Sequence, residues 1–118
     1  MKRGVTPADA RKILLSFPGV DEGSSYGTTG FKVRGKFLAR FRDEDTVLVI
    51  KCGEIERDLR LRAEPNVFFT TDHYRDYPTV LVRLDAATAD QLRDVVEVGW
   101  ERLASKRMRD NFHRAEDA

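Results

Sequence analysis

The stretch Phe31–Lys51 reads FKVRGKFLARFRDEDTVLVIK, and its phase decides the fold. Its first twelve positions alternate apolar with basic residues and hold five cations and no acid. Period-two alternation marks strands buried on one side only. Arg34-Gly35-Lys36 and Asp43-Glu44-Asp45 divide the run into three short strands. An odd-length loop at Gly35 keeps the phase across the hairpin. Phe31, Val33, Phe37, Ala39 and Phe41 then point inward, and Lys32, Leu38, Arg40 and Arg42 point outward, with Arg34 and Lys36 at the tip. A two-residue loop would instead bury Lys36, Arg40 and Arg42 beside Val33. Unpaired buried cations are strongly destabilising, which argues against that register.

Working outward, Thr46–Lys51 (TVLVIK) is apolar on both faces and reads as an interior strand, with Lys51 sharing a face with Val47 and Val49. Thr79–Leu84 (TVLVRL) is a further strand, with Val80, Val82 and Leu84 on one side and Leu81 and Arg83 on the other. Val67-Phe68-Phe69 is a short one. Three helices surround them. Thr6-Pro7-Ala8-Asp9 is a helix start, followed by the stripe Ala10, Ile13, Leu14 and Phe17. Gly53 to Arg62 places acids first and arginines last, complementing the helix dipole, with Ile55 and Leu59 as its apolar ridge. Thr88 and Gln91 fit a capping box that opens the longest helix, carrying Leu92, Val95, Val96, Gly99 and Leu103. Gly99 inside that stripe points to close packing on the sheet. Asp21–Gly30 reads as a polar connector, anchored or not by Tyr26, and residues 105–118 as a tail that extends the last helix or frays.

The resulting order is α-β-β-β-α-β-β-α: an α+β, two-layer fold with an antiparallel sheet of about five strands and helices on one face. At 118 residues the chain reads as one domain, residues 1–118, able to bury roughly 65% of its unfolded surface. Cys52 is the single cysteine, which excludes a disulfide framework and a zinc set. No apolar run approaches the ~20 residues of a membrane span. MKRGVTPADARK has no apolar segment of the kind a signal peptide carries, so a cytoplasmic location is expected. Formal net charge is +1, so any affinity for a polyanion must come from local asymmetry rather than bulk charge.

The segment Thr71–Tyr77 (TDHYRDY) gathers the polar aromatic residues. His73 beside Asp72 invites a general-base reading, but no serine or cysteine can be placed next to it, and no catalytic constellation emerges. His73, Tyr74 and Tyr77 read instead as a loop that covers the sheet or touches a ligand or partner. No cofactor motif is found: the glycines of Asp21–Gly30 precede a strand, whereas a phosphate loop opens a helix. No metal-ligand spacing is found either.

TPADARKILLSFPGV, the glycine-bearing connector, FKVRGKFLARF, VLVIK, VLVRLD and a helix ending WERLASKR, taken in this order, resemble the MmcQ/YjbR family of small bacterial proteins over nearly the whole chain. The resemblance implies a fold similar to secretion chaperones and a DNA-binding role, described for the family as a double-wing motif. Positions matching the family pattern are Gly35-Lys36, Lys51 and Lys106, and the family offers no agreed catalytic residues to carry over. Two functions follow as expectations. One is a DNA-binding module using Lys32, Arg34, Lys36, Arg40, Arg42, Lys51 and Arg83 on double-stranded DNA. The other is a chaperone-like adaptor or homodimer binding a protein partner through Leu38, Val47, Val49 and Leu81 on the same face. An enzyme built on the His73–Tyr77 loop is the least supported reading.

Overall fold

Thr6 accepts a hydrogen bond from the Asp9 N–H at 3.1 Å, and Pro7 takes the first helical position, which starts α1 (Pro7–Leu15). The structure, a computed structural model, describes residues 4–25 and 27–117. After α1 come four antiparallel strands in succession: β1 (Val20–Ser25), β2 (Thr28–Val33), β3 (Lys36–Arg42) and β4 (Val47–Lys51). Helix α2 (Glu54–Ala63) and the two-residue β5 (Phe68–Phe69) lead to β6 (Thr79–Arg83), then to α3 (Ala89–Leu103) and α4 (Lys106–Asp117). The sheet order is β1-β2-β3-β4-β6-β5, all neighbours antiparallel. The α+β class and the antiparallel sheet agree with the sequence reading, with six strands in place of five.

Three expectations need correcting. Asp21–Gly30 is not a connector: β1 pairs with β2 from Val20↔Val33 to Ser25↔Thr28. Only Val20 is apolar among the six residues of β1, so hydrophobic alternation could not reveal it. Its hydrogen bonds to β2 make it a strand. The reading of Tyr26 falls outside the described residues.

The hairpin loop is two residues long, since Val33 pairs directly with Lys36. Arg34 and Gly35 both adopt positive φ, 54° and 78°, as the tight turns that suit twisted hairpins require. The phase is rescued by a bulge. Lys32 pairs with Phe37 and Phe31 with Ala39, so Leu38 is an extra residue in β3. Two residues opposing one flip the following side chains to the other face. Arg40 and Arg42 therefore point outward as expected, while Phe37 and Leu38 exchange places: Leu38 is fully buried under the helices and Phe37 packs on the outer face. Lys36 shares the side of Val33, but at the exposed tip, where its charge stays hydrated.

Third, the Ile55–Leu59 ridge of α2 does not face the core; Ile55 is 81% exposed and Leu59 54%. The helix is held by Leu61 and by Arg60, whose guanidinium lies 5.5 Å from the Phe68 ring centre and pairs with Glu56 and Glu64.

Between helices and sheet lies one core built from Phe31, Val33, Leu38, Phe41, Leu48, Ile50, Val80 and Val82 beneath α1 and α3. The Thr88–Gln91 capping box forms with both of its hydrogen bonds, 2.9 and 3.1 Å. Trp100 is fully buried and donates its indole N–H to the Pro18 carbonyl at 2.7 Å. The tail is a separate helix: Ser105 Oγ accepts from the Met108 N–H, and Phe112 stacks at 4.9 Å from Trp100 and 5.4 Å from Phe17. No helix among the described residues is long and apolar enough to cross a membrane.

Gly99 is where α3 touches the sheet. A Cβ there would lie 2.8 Å from the Lys51 carbonyl oxygen and 3.0 Å from Leu38 Cδ1. Gly99→Ala gains about 1 kcal/mol of helix propensity but must push backbone apart, a strain of about 1–3 kcal/mol. A net loss of roughly 1 kcal/mol in urea unfolding is expected; an alanine variant as stable as the parent would refute so close an approach.

Candidate functional site

Register assigns the outward positions of the four central strands. They are Thr28, Gly30 and Lys32 on β2; Phe37, Arg40 and Arg42 on β3; Val47, Val49 and Lys51 on β4; and Thr79, Leu81 and Arg83 on β6. Cross-strand partners share a face, so Arg40, Val49 and Leu81 form one row and Arg42, Val47 and Arg83 the next. Five of the seven sequence-derived cations thus occupy one surface: Lys32, Arg40, Arg42, Lys51 and Arg83. Arg34 does not join them. Its guanidinium approaches the Leu103 carbonyl at 3.5 Å, against the negative end of α3. Lys36 leaves the tip on the helix side, and Lys106, beyond the sheet, pairs with Asp110 at 2.7 Å.

Val47, Val49 and Leu81 leave an apolar strip in the middle of this cationic face, and Tyr74 covers it. Tyr74 is 8% exposed, packs with those three residues, Phe37 and Phe69, and takes a hydrogen bond on its hydroxyl from Arg40 Nη2. The Arg42 guanidinium lies 5.6 Å from the Tyr74 ring centre, and that of Arg83 lies 4.1 Å from the Phe69 ring. Cation–π contacts hold these arginines against the face, and Arg42 is also ion-paired with Asp43 at 3.3 Å. The 71–77 segment is fixed from behind by Arg57 of α2, which donates from Nη1 to the Arg75 and Tyr77 carbonyls at 3.1 and 2.8 Å.

Where this segment rises from the sheet it walls a groove of about 910 Å³, lined by Lys32, Phe37, Arg40, His73, Tyr74 and Tyr77 together with Ser24 and Gly35. His73 meets the Tyr74 ring edge-on at 4.7 Å and lies 6.0 Å from Tyr77. The general-base pairing suggested by Asp72-His73 is not formed; the Asp72 carboxylate pairs with Arg75. His73, Tyr74 and Tyr77, singled out as a loop, do come together with Lys32 and Arg40, which adjacency in sequence could not reveal. Phe37 was missed as a lining residue because the two-residue turn, which pairs it with outward-facing Lys32, was read as an odd-length loop.

Two other reactive groups lie elsewhere. Burial pushes the Cys52 thiol up to about 12, which makes it a poor nucleophile. Between α3 and α4, Glu97, His113 and Glu116 bring donor atoms within 4.8 Å of one another, a grouping with no counterpart in the sequence reading. Both ring nitrogens of His113 are engaged, Nε2 with Glu101 at 2.8 Å and Nδ1 with Glu116 at 3.1 Å.

With this geometry in view, comparison with known proteins is informative about lineage. The YjbR family model matches residues 15–102, well over half of the chain. The chain belongs to the YjbR family. Uncharacterized proteins of Mycobacterium bovis and Mycobacterium tuberculosis are 40% identical over 45 residues, 38% of this chain and 35% of theirs, so the match spans about a third of those relatives' length. The crystal structure of a Deinococcus radiodurans protein with a DUF419 domain superposes with a TM-score of 0.69 at 19% identity, over 90% of this chain and 86% of that one. It shares the fold. Helix α4 lies beyond the family match.

Two measurements follow. Tyr74→Ala uncovers the apolar strip and should cost about 3 kcal/mol in chemical unfolding; a loss below about 1 kcal/mol would mean that the segment is not packed there. The hydrogen bond to Glu116 first, then the one to Glu101, hold the His113 pKa above its ordinary 6.5. A group with a raised folded pKa contributes fully below 6.5 and loses its contribution as pH rises through the folded value. The thermal midpoint should therefore fall as pH rises above 6.5 more steeply in the parent than in His113→Gln; parallel profiles would refute the linkage.

Proposed function

We propose that this protein binds nucleic acid, DNA in particular, through the outward face of its sheet. The observation that carries this reading is charge segregation. The outward positions of β2, β3, β4 and β6 hold Lys32, Arg40, Arg42, Lys51 and Arg83 and no acidic residue, and the acid on this side of the sheet is Asp21 of the edge strand β1, opposite Lys32, in a chain whose formal charge is only +1. A neutral protein has no electrostatic need to gather cations on one side of a sheet. The arginines offer forked donors suited to phosphate oxygens, and the half-buried Phe37 and Phe69 lie among them as aromatics do on many nucleic-acid surfaces. The DNA-binding role expected from the family resemblance points the same way. An adaptor that grips a protein through an apolar patch is less favoured. Val47, Val49 and Leu81 are 7%, 0% and 0% exposed beneath Tyr74, and Leu38 faces the helices.

Neutralising about four phosphates predicts that log affinity falls with log salt at a slope of about −3 to −4. Fluorescence anisotropy with a labelled oligonucleotide across a salt series measures it. Lys32→Ala and Arg83→Ala should each reduce the slope by about one unit without changing the fold. An absence of binding at low salt refutes the proposal.

A further inference from the structure

We infer that the groove between the β2–β3 hairpin and the 71–77 segment receives an unpaired nucleotide, so that the protein prefers single-stranded nucleic acid to blunt duplex. The inference deepens the nucleic-acid reading and rests on it.

Shape is the first argument. A duplex is met by a protruding helix or ribbon that enters its groove. Here the segment 71–77 stands on the sheet, held by Tyr74 below and Arg57 behind, and turns the cationic face beside it into a concavity. A volume of about 910 Å³ lies within the range of about 300–1,000 Å³ that encloses small ligands. A base splayed from a single strand is free to turn into such a recess, whereas a base paired and stacked within a duplex would first have to be unstacked.

Chemistry of the lining is the second argument. Tyr77 is 53% exposed, one of the few large apolar side chains left in solvent among the described residues, and His73 beside it is exposed as well. Their rings are tilted by 38° with centres 6.0 Å apart rather than stacked on each other. Ring faces held in this way accept a base, each stacked base contributing the equivalent of about tenfold in affinity. Arg40 and Lys32 flank the same recess, with the Arg40 guanidinium oriented by its bond to the Tyr74 hydroxyl. One recess thus offers cations for a phosphate and aromatic faces for its base. Arg42 and Arg83 share the row on the far side of Val49 and Leu81 and supply a contact for a neighbouring phosphate, while Lys51 stands at the other end of β4.

The test compares a labelled pyrimidine-rich single strand with a blunt duplex of the same length by anisotropy at one low salt concentration, using the full chain. Single strand should bind about tenfold tighter. Tyr77→Ala should weaken the single strand about tenfold and the duplex less than twofold, while Tyr77→Phe, which keeps the ring, should bind like the parent. The variants alter an exposed side chain, and thermal melting checks that they fold. Equal affinity for both forms, or a Tyr77→Ala loss shared equally by both, overturns the inference while leaving the cationic-face reading intact. If neither form binds, both fall.

Discussion

A single extra residue in β3 governs where the charges of this molecule go. Between the two-residue turn at Arg34-Gly35 and the register of Phe31 with Ala39, Leu38 has no partner of its own on β2. It drops onto the helix side, where its Cδ1 meets α3 at Gly99, and the strand beyond it resumes with Arg40 and Arg42 outward. Without that bulge the same tight turn would drive both arginines into the layer occupied by Trp100 and Phe41. Burial of two unpaired cations would outweigh the few kcal/mol of net stability a domain of this size possesses. Turn and bulge therefore have to occur together, and the cationic face is their joint product.

That face carries its own difficulty, because β4 and β6 are apolar on both sides. Val47, Val49 and Leu81 would leave a hydrophobic strip in water among the arginines. Tyr74 resolves this with one ring that covers the strip and one hydroxyl that satisfies Arg40. The segment that delivers Tyr74 necessarily stands above the sheet, and its flanking His73 and Tyr77 become a wall. The recess is thus a by-product of completing a second small core. Its wall is formed when the protein folds rather than when a ligand arrives, which lowers the ordering cost of binding.

How much of this was legible in the sequence depends on distance along the chain. The Thr88–Gln91 box and the Thr6-Pro7 start involve partners three residues apart, and both form as read. The inward phase of Phe31, Val33, Ala39 and Phe41 and the outward phase of Lys32, Arg40 and Arg42 were also readable, since burial rejects charge whatever the loop does. The route was not: a bulge and a longer loop satisfy the same pattern, and only pairing distinguishes them, which left Phe37 and Leu38 reversed. Strand β1 was invisible because an edge strand needs hydrogen bonds more than apolar residues. Ile55 and Leu59 resembled a core ridge, yet α2 is held by ion pairs and by an arginine lying against Phe68. At the site, the aromatic content of 71–77 was evident, but its seat on Val47 and Val49 joins residues on an earlier strand that adjacency along the chain could not connect to it.

The ends of the sheet have a consequence for how any macromolecule can approach. At one edge β5 is two residues long, too short to template a neighbour. At the other, β1 presents Asp21 and Glu22 followed by Gly23, with Glu22 tied to Arg11 at 2.6 Å. Charge and glycine at a border strand discourage the backbone zippering by which sheets grow from one chain into the next. The molecule is therefore terminated laterally, and recognition is channelled onto its broad surface. On the proposed reading, such a face with sealed borders would let several copies line a long polyanion without the sheets themselves growing into fibrils.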